Sequence, residues 1–80
     1  MKNEIILTQI KDIMLLVFDL DELTISDSTT ASDIEDWDSL SHMRLVVSIE
    51  KKFGIRLSTA EIESFDTVGA MVRAIAAKTA

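Results

Sequence analysis

The sequence predicts an all-α fold: a four-helix bundle of three longer helices and one short one, with a long loop between the first two. Apolar residues recur at steps of three and four in three separate stretches, which is the period of a helix with one buried face. Helix-starting and helix-stopping residues flank those stretches, and a capping box marks a fourth, shorter helix. No segment alternates apolar and polar residues as a half-buried strand would, Pro is absent, and there is no internal repeat or low-complexity tract. Eighty residues with 48% hydrophobic content are expected to make one domain, residues 1–80. A chain of this size buries only a little over ~60% of its unfolded surface, so the core must be small.

The first helix is expected from Asn3 to about Leu20, with Ile6, Ile10, Ile13, Val17 and Leu20 as its stripe and Leu7, Met14 and Phe18 widening it. Asn3 is the expected cap, and Glu4 suits the positive end of the helix dipole. The next stretch, DELTISDSTTASDIEDW from Asp21 to Trp37, lacks either period. Its Asp, Ser and Thr side chains compete for backbone hydrogen bonds and favour turns. A loop this long in so small a domain is more often functional than idle.

Asp38 fits the N-cap of a second helix, Ser39 to Phe53, which Gly54 can end in a left-handed conformation. Ser58 with Glu61 three residues later forms the capping box of a short helix of about two turns. The last helix places Val68, Met71, Val72 and Ile75 on one face, capped by Asp66 or Thr67, with Arg73 and Lys78 toward its negative end.

Composition narrows function. Eight basic against 14 acidic residues give a net charge of −6, which repels nucleic acid and anionic lipid surfaces. The longest apolar run, Ile13 to Phe18, is far too short to span a bilayer, and no secretory leader is legible in the first 20 residues, so a cytoplasmic protein is expected, and separately a monomer. No Cys is present, so the chain offers no thiol nucleophile or metal knuckle, and sulfur chemistry would have to come from outside.

The second helix carries two apolar groups. At about 100° per residue, Leu45, Val46, Ile49 and Phe53 fall within one arc, the natural core stripe. Leu40, Met43 and Val47 form another, roughly 130° around the barrel. One bundle interface cannot bury both. The second group either packs beneath the long loop or forms an exposed patch for another protein, and the latter is the reading adopted. Ser39 stands at the head of this patch, in the first position of the helix, beside backbone N–H groups without intrahelical acceptors. A phosphodiester on its hydroxyl would face those donors and the positive end of the dipole, opposed in part by Asp38. From Asp-Ser-Leu alone, an ordinary helix start would be the better reading.

The wider context reverses that preference. DSLSHMRLVVSIEKKFGIRLSTAEI, followed by DTVGAMVRAI, resembles the acyl carrier protein family, whose hallmark is a serine in an Asp-Ser-Leu motif opening the second helix. The resemblance spans essentially the whole chain and implies a four-helix bundle of acyl carrier type. It implies that Ser39, flanked by Asp38 and Leu40, carries 4′-phosphopantetheine delivered from coenzyme A by a Mg²⁺-dependent phosphopantetheinyl transferase. Acyl groups would ride as thioesters on the arm's thiol, which accounts for the missing Cys. Such a chain is a carrier and not an enzyme, and acyl-loading and acyl-transfer enzymes would dock on its second helix, at Leu40, Met43, Val47 and Lys51. Many family members have Gly two residues before the motif's Asp, where this chain has Asp36. Housekeeping fatty acid carriers usually have a strongly acidic second helix, whereas here Arg44, Lys51 and Lys52 accompany Glu50. That difference implies a specialised pathway: polyketide, nonribosomal peptide, lipid or saccharide modification.

Three other readings are weaker. Ser39 and His42 could meet on one helical face, but no strained Gly-x-Ser-x-Gly turn or preceding strand supports a hydrolase, and His42 is expected at the core edge. Asp33, Glu35, Asp36 and Asp38 read as a solvated acidic approach and not as a metal site, and DLDELTISDSTT lacks the ligands of a calcium loop. Trp37 is expected to anchor the loop on the bundle. The alternative from another class is an acidic helical adaptor that binds a partner without a prosthetic group.

Overall fold

The computed structural model describes residues 2–79, and among these there are four α-helices and no strand. In chain order they are α1 (Asn3–Val17), α2 (Ser39–Phe53), α3 (Thr59–Glu63) and α4 (Val68–Thr79). α1 packs against both α2 and α4, and one apolar cluster lies between them. Ile6, Ile10 and Met14 of α1, Leu45 and Ile49 of α2, and Met71 and Ile75 of α4 have no exposed surface. The periodicity read from the sequence and the buried faces coincide, since each face is the one that excludes most apolar area from water.

Two details of α1 differ from expectation. Asn3 is not its cap: the carbonyl of Lys2 already accepts from the N–H groups of Ile5 and Ile6, both at 3.1 Å, so the cap position is Lys2, which makes no side-chain cap bond. The helix also stops at Val17 instead of near Leu20. Asp19 adopts a left-handed conformation (φ 54°), and the Leu20 N–H turns back to the Leu15 carbonyl at 3.0 Å while that of Asp19 reaches Leu16 at 3.4 Å. This is the Schellman pattern with Asp in the place usually held by Gly. The reversal buries Phe18 against the bundle and leaves Leu16 84% exposed.

α2 begins and ends where the sequence places it. Gly54 has φ 65°, and the Ile55 N–H donates to Glu50 O at 3.1 Å. A Cβ on Gly54 would meet nothing within 4 Å, so its conformation and not lack of space favours Gly. Phe53, expected in the core stripe, is only half-buried at its edge. The capping box of α3 is formed, with Ser58 N–H to Glu61 Oε1 at 2.9 Å and Glu61 N–H to Ser58 Oγ at 3.2 Å. α3 is shorter than two turns. Glu61 Oε1 also lies 3.1 Å from Lys78 Nζ, tying α3 to the last turn of α4.

The long connection from α1 to α2 is more structured than its composition suggested. It contains a 3₁₀ turn at Ala31–Asp33 and an isolated antiparallel bridge between Thr30 and Thr67. Its backbone supplies acceptors for the first turn of α4: Val68 N–H to Thr29 O and Gly69 N–H to Asp27 O, both at 2.9 Å. Thr67 Oγ1 accepts from Ala70 N–H at 3.1 Å, so of the two candidate caps it is Thr67 that serves. Donors that a helix start leaves open are thereby satisfied from the loop.

That docking depends on Gly69. A Cβ there would stand 2.8 Å from the Asp27 carbonyl oxygen and 3.2 Å from Arg73 Nη1. Gly69→Ala should gain nearly ~1 kcal/mol of helix propensity, yet the clash is with backbone that must move. A net loss on the order of 1–3 kcal/mol is expected from such overpacking. Urea melts check it, and a stabilised variant would show that the loop yields freely.

Candidate functional site

The mouth of α2 is assembled from the end of the loop. Asp38, in extended conformation, accepts from Ser41 N–H through Oδ1 at 2.9 Å, while its carbonyl takes the first helical bond, from His42 N–H, at 2.8 Å. Ser39 follows as the first helical residue, exposed. Its hydroxyl thus points from a position fixed by a capped helix start, next to backbone donors that α2 itself cannot satisfy.

Behind Ser39 the loop is pinned by an aromatic group. The Trp37 indole N–H donates to His42 Nδ1 at 2.9 Å, which leaves the proton of the neutral ring on Nε2, 3.2 Å from the carbonyl oxygen of Ile62. His42 therefore joins the loop, α2 and α3. Trp37 stacks on it with ring centroids 6.0 Å apart, and Phe18 and Phe65 close the group at 6.2 Å from Trp37 and 6.4 Å from His42. Trp37, Phe18 and Phe65 are buried. Both ring nitrogens of His42 are engaged, so the ring is not available as a base to Ser39. The expectations that Trp37 anchors the loop and that His42 lies at the core edge both hold.

A depression of about 460 Å³ adjoins Ser39, lined by Ala31, Trp37, Asp38, Ser39, His42 and Met43. From there the second stripe of α2 runs away from the serine, with Leu40 64%, Met43 50% and Val47 45% exposed. The loop does not cover it. A groove of about 580 Å³ follows this stripe between α2 and the end of α1, lined in part by Leu16, Val17, Met43 and Val47. Leu16 was not singled out in the sequence, although its place off the apolar stripe of α1 could have flagged it. Arg44 borders this groove. Lys51 is exposed beside a further hollow near Ile55.

The carboxyl of Asp38 is held below the usual aspartate range, chiefly by the Ser41 N–H and further by the Ser41 hydroxyl and the Leu40 N–H. Glu61 is likewise held below the usual glutamate range, first by Ser58 N–H and then by Lys78. Both folded values lie below the unfolded ones. The stability these groups contribute is therefore present above the unfolded values, about 3.9 for Asp and 4.3 for Glu, and is lost as pH falls through the depressed folded values. Thermal melts should be insensitive to these groups near neutrality and fall below about pH 4. In the double variant Asp38→Asn, Glu61→Gln, which keeps side-chain acceptors, the acid slope should be shallower; an unchanged slope would place the acid sensitivity elsewhere.

Among the described residues no three Asp, Glu, His or Cys side chains come together as a metal site. The acidic approach of Asp33, Glu35, Asp36 and Asp38 is spread over exposed loop, with Asp33 capping the 3₁₀ turn through Thr30 N–H at 2.9 Å. Among the described residues no helix is long and apolar enough to cross a membrane.

This is a four-helix bundle that exposes a serine at a helix mouth, beside an apolar depression and an uncovered apolar stripe. Comparison with known proteins gives this class a family. Residues 8–75 match the phosphopantetheine attachment site family. The acyl carrier protein of Acidothermus cellulolyticus is 34% identical over 76 residues, 95% of this chain and 90% of that protein. Polyketide-8 synthase acyl carrier protein 2 of Streptomyces avermitilis is 32% identical over 60 residues, 75% of this chain and 69% of that protein. The solution NMR structure of holo acyl carrier protein from Geobacter metallireducens superposes with a TM-score of 0.84 at 36% identity, covering 90% of this chain and 83% of that one. The chain belongs to the acyl carrier protein family, and its prosthetic group is phosphopantetheine. The donor set fits such a group: an exposed hydroxyl, open helix-start N–H groups for a phosphate, and an Asp38 carboxylate already engaged by Ser41.

Proposed function

We propose that this chain is a one-domain carrier in which Ser39 bears the 4′-phosphopantetheine arm, linked through its hydroxyl as a phosphodiester. The observation that carries the assignment is the exposure of Ser39 at the capped start of α2. Asp38 holds the helix start on which the serine sits, and Leu40 begins the apolar surface beside it. The arm supplies the thiol that the chain lacks, and acyl groups held there as thioesters are presented to partner enzymes. Leu40, Met43, Val47 and Lys51 form the surface that a phosphopantetheinyl transferase and the acyl-loading and acyl-transfer enzymes contact. The protein works as a cytoplasmic monomer, and binding of nucleic acid is disfavoured by its net charge of −6.

The pathway is a specialised one, of the polyketide, nonribosomal peptide, lipid or saccharide-modifying kind. Support comes from three basic residues on α2, Arg44, Lys51 and Lys52, against the single acid Glu50. Purified protein incubated with coenzyme A, Mg²⁺ and a broad-specificity phosphopantetheinyl transferase should gain one phosphopantetheine by intact mass. Folded protein left unmodified by several transferases would instead support an adaptor that binds a partner without a prosthetic group.

A further inference from the structure

The molecule's charge is unevenly placed. Its net charge is −6, and the exposed carboxylates of Glu35, Asp36 and Asp38 lie within four residues of Ser39 along the chain. Toward the other end of α2 the sign reverses. Val47 sits between two hollows: the groove of about 580 Å³ toward Leu16, bordered by Arg44, and one of about 450 Å³ toward Ile55, bordered by Lys51 and Arg56. The acid among these lining residues, Glu50, is turned to the backbone, where its Oε2 accepts from Leu57 N–H at 2.9 Å. Among the described residues the one ion pair within 4.0 Å is Lys78–Glu61, on other helices, so Arg44, Lys51 and Arg56 are unpaired. Asp38 and Lys51 are thirteen residues apart along the chain, roughly 20 Å along a helix axis. That is about two and a half times the ~8 Å screening length at physiological salt. The carboxylates near Ser39 therefore do not cancel the field at Lys51, at the far side of the seat.

We infer that the partner surface engaging the C-terminal half of α2 is acidic: an apolar side chain seats against Val47 between Leu16 and Ile55, and carboxylates around it face Arg44, Lys51 and Arg56. The inference rests on the carrier reading for its biological setting but not for its physics. A basic rim would meet three unpaired cations against the one carboxylate of Glu50 on desolvation, and like-charge juxtaposition at an interface opposes binding and selects against such partners. An acidic rim gains charge-assisted contacts at the border of an apolar seat that already exposes Leu16, Met43 and Val47. Overall charge makes the opposite prediction, since a molecule at −6 should prefer basic ligands if only its distant field mattered.

Two synthetic amphipathic helical peptides separate these outcomes. Both carry the same Leu and Phe face, one rimmed by Glu and the other by Lys, and each is titrated into the isotope-labelled apo protein while methyl shifts are followed by NMR. The acid-rimmed peptide should bind about tenfold tighter, equivalent to about 1.4 kcal/mol, with shifts centred on Val47, Ile55 and Leu16 that weaken in high salt. In Lys51→Glu, Arg56→Glu the preference should reverse. Equal or tighter binding of the Lys-rimmed peptide to the wild type, or no shift with either at millimolar peptide, overturns the inference. So does self-association through this face in sedimentation, which would make a second copy the occupant, or preferential binding to phosphatidylglycerol vesicles. The same preparation is tested with transferase and coenzyme A. Modification with the wrong peptide preference refutes the acidic rim alone, and the right preference without modification refutes the carrier reading alone.

Discussion

Ile49→Ala should destabilise the protein by about 2–5 kcal/mol, whereas Val47→Glu, two residues earlier on the same helix, should cost under about 0.5 kcal/mol. Ile49 has no exposed surface and belongs to the apolar core cluster, so its truncation removes apolar contact and leaves a cavity that fixed backbone cannot fill. An 80-residue domain has a total stability of roughly 4–12 kcal/mol, which makes that loss a large fraction of what holds the fold. Val47 is 45% exposed, and a carboxylate there reaches water. Its effect should appear in function, as slower transfer of the arm or slower acyl loading. Urea melts of both variants decide the matter, and equal losses would mean that the second stripe of α2 is core.

Much of this arrangement was legible in the sequence because local rules and burial agree. Ser39–Phe53 was bounded correctly since Asp38 and Gly54 are strong punctuation, one a side-chain cap and the other free to adopt positive φ. The split between Leu45, Val46, Ile49 and Leu40, Met43, Val47 followed from helical geometry alone. What was missed depends on contacts distant in sequence. Asp19 ends α1 because the chain must turn so that Phe18 can reach Trp37, and an Asp in the left-handed region carries no clear local signal. Ser26–Thr30 looked unstructured, yet its carbonyls are ordered by the start of α4, some forty residues on. The seat around Val47 likewise draws on Leu16 from α1 and on Ile55 and Arg56 from the α2–α3 linker, which no single-helix projection brings together.

Ser39→Ala should abolish attachment of phosphopantetheine completely while leaving the circular dichroism and urea midpoint nearly unchanged. Ser39 donates no side-chain hydrogen bond on which the helix start depends, because the cap is made by Asp38 to Ser41 N–H at 2.9 Å. Asp38→Ala gives the complementary result: the hydroxyl remains, but loss of the cap should lower the urea midpoint and slow modification by fraying the site. Ser41, two residues on, is the internal control. It lies half-buried within the first turn, where a bulky phosphodiester would meet the turn and not the open end of the helix.

The most direct measurement is tandem mass spectrometry of the modified wild-type protein, with fragments that separate Ser39 from Ser41. The full added mass should lie on Ser39. Its presence on Ser41, or on any serine of the loop, would contradict the placement of the arm at the mouth of α2.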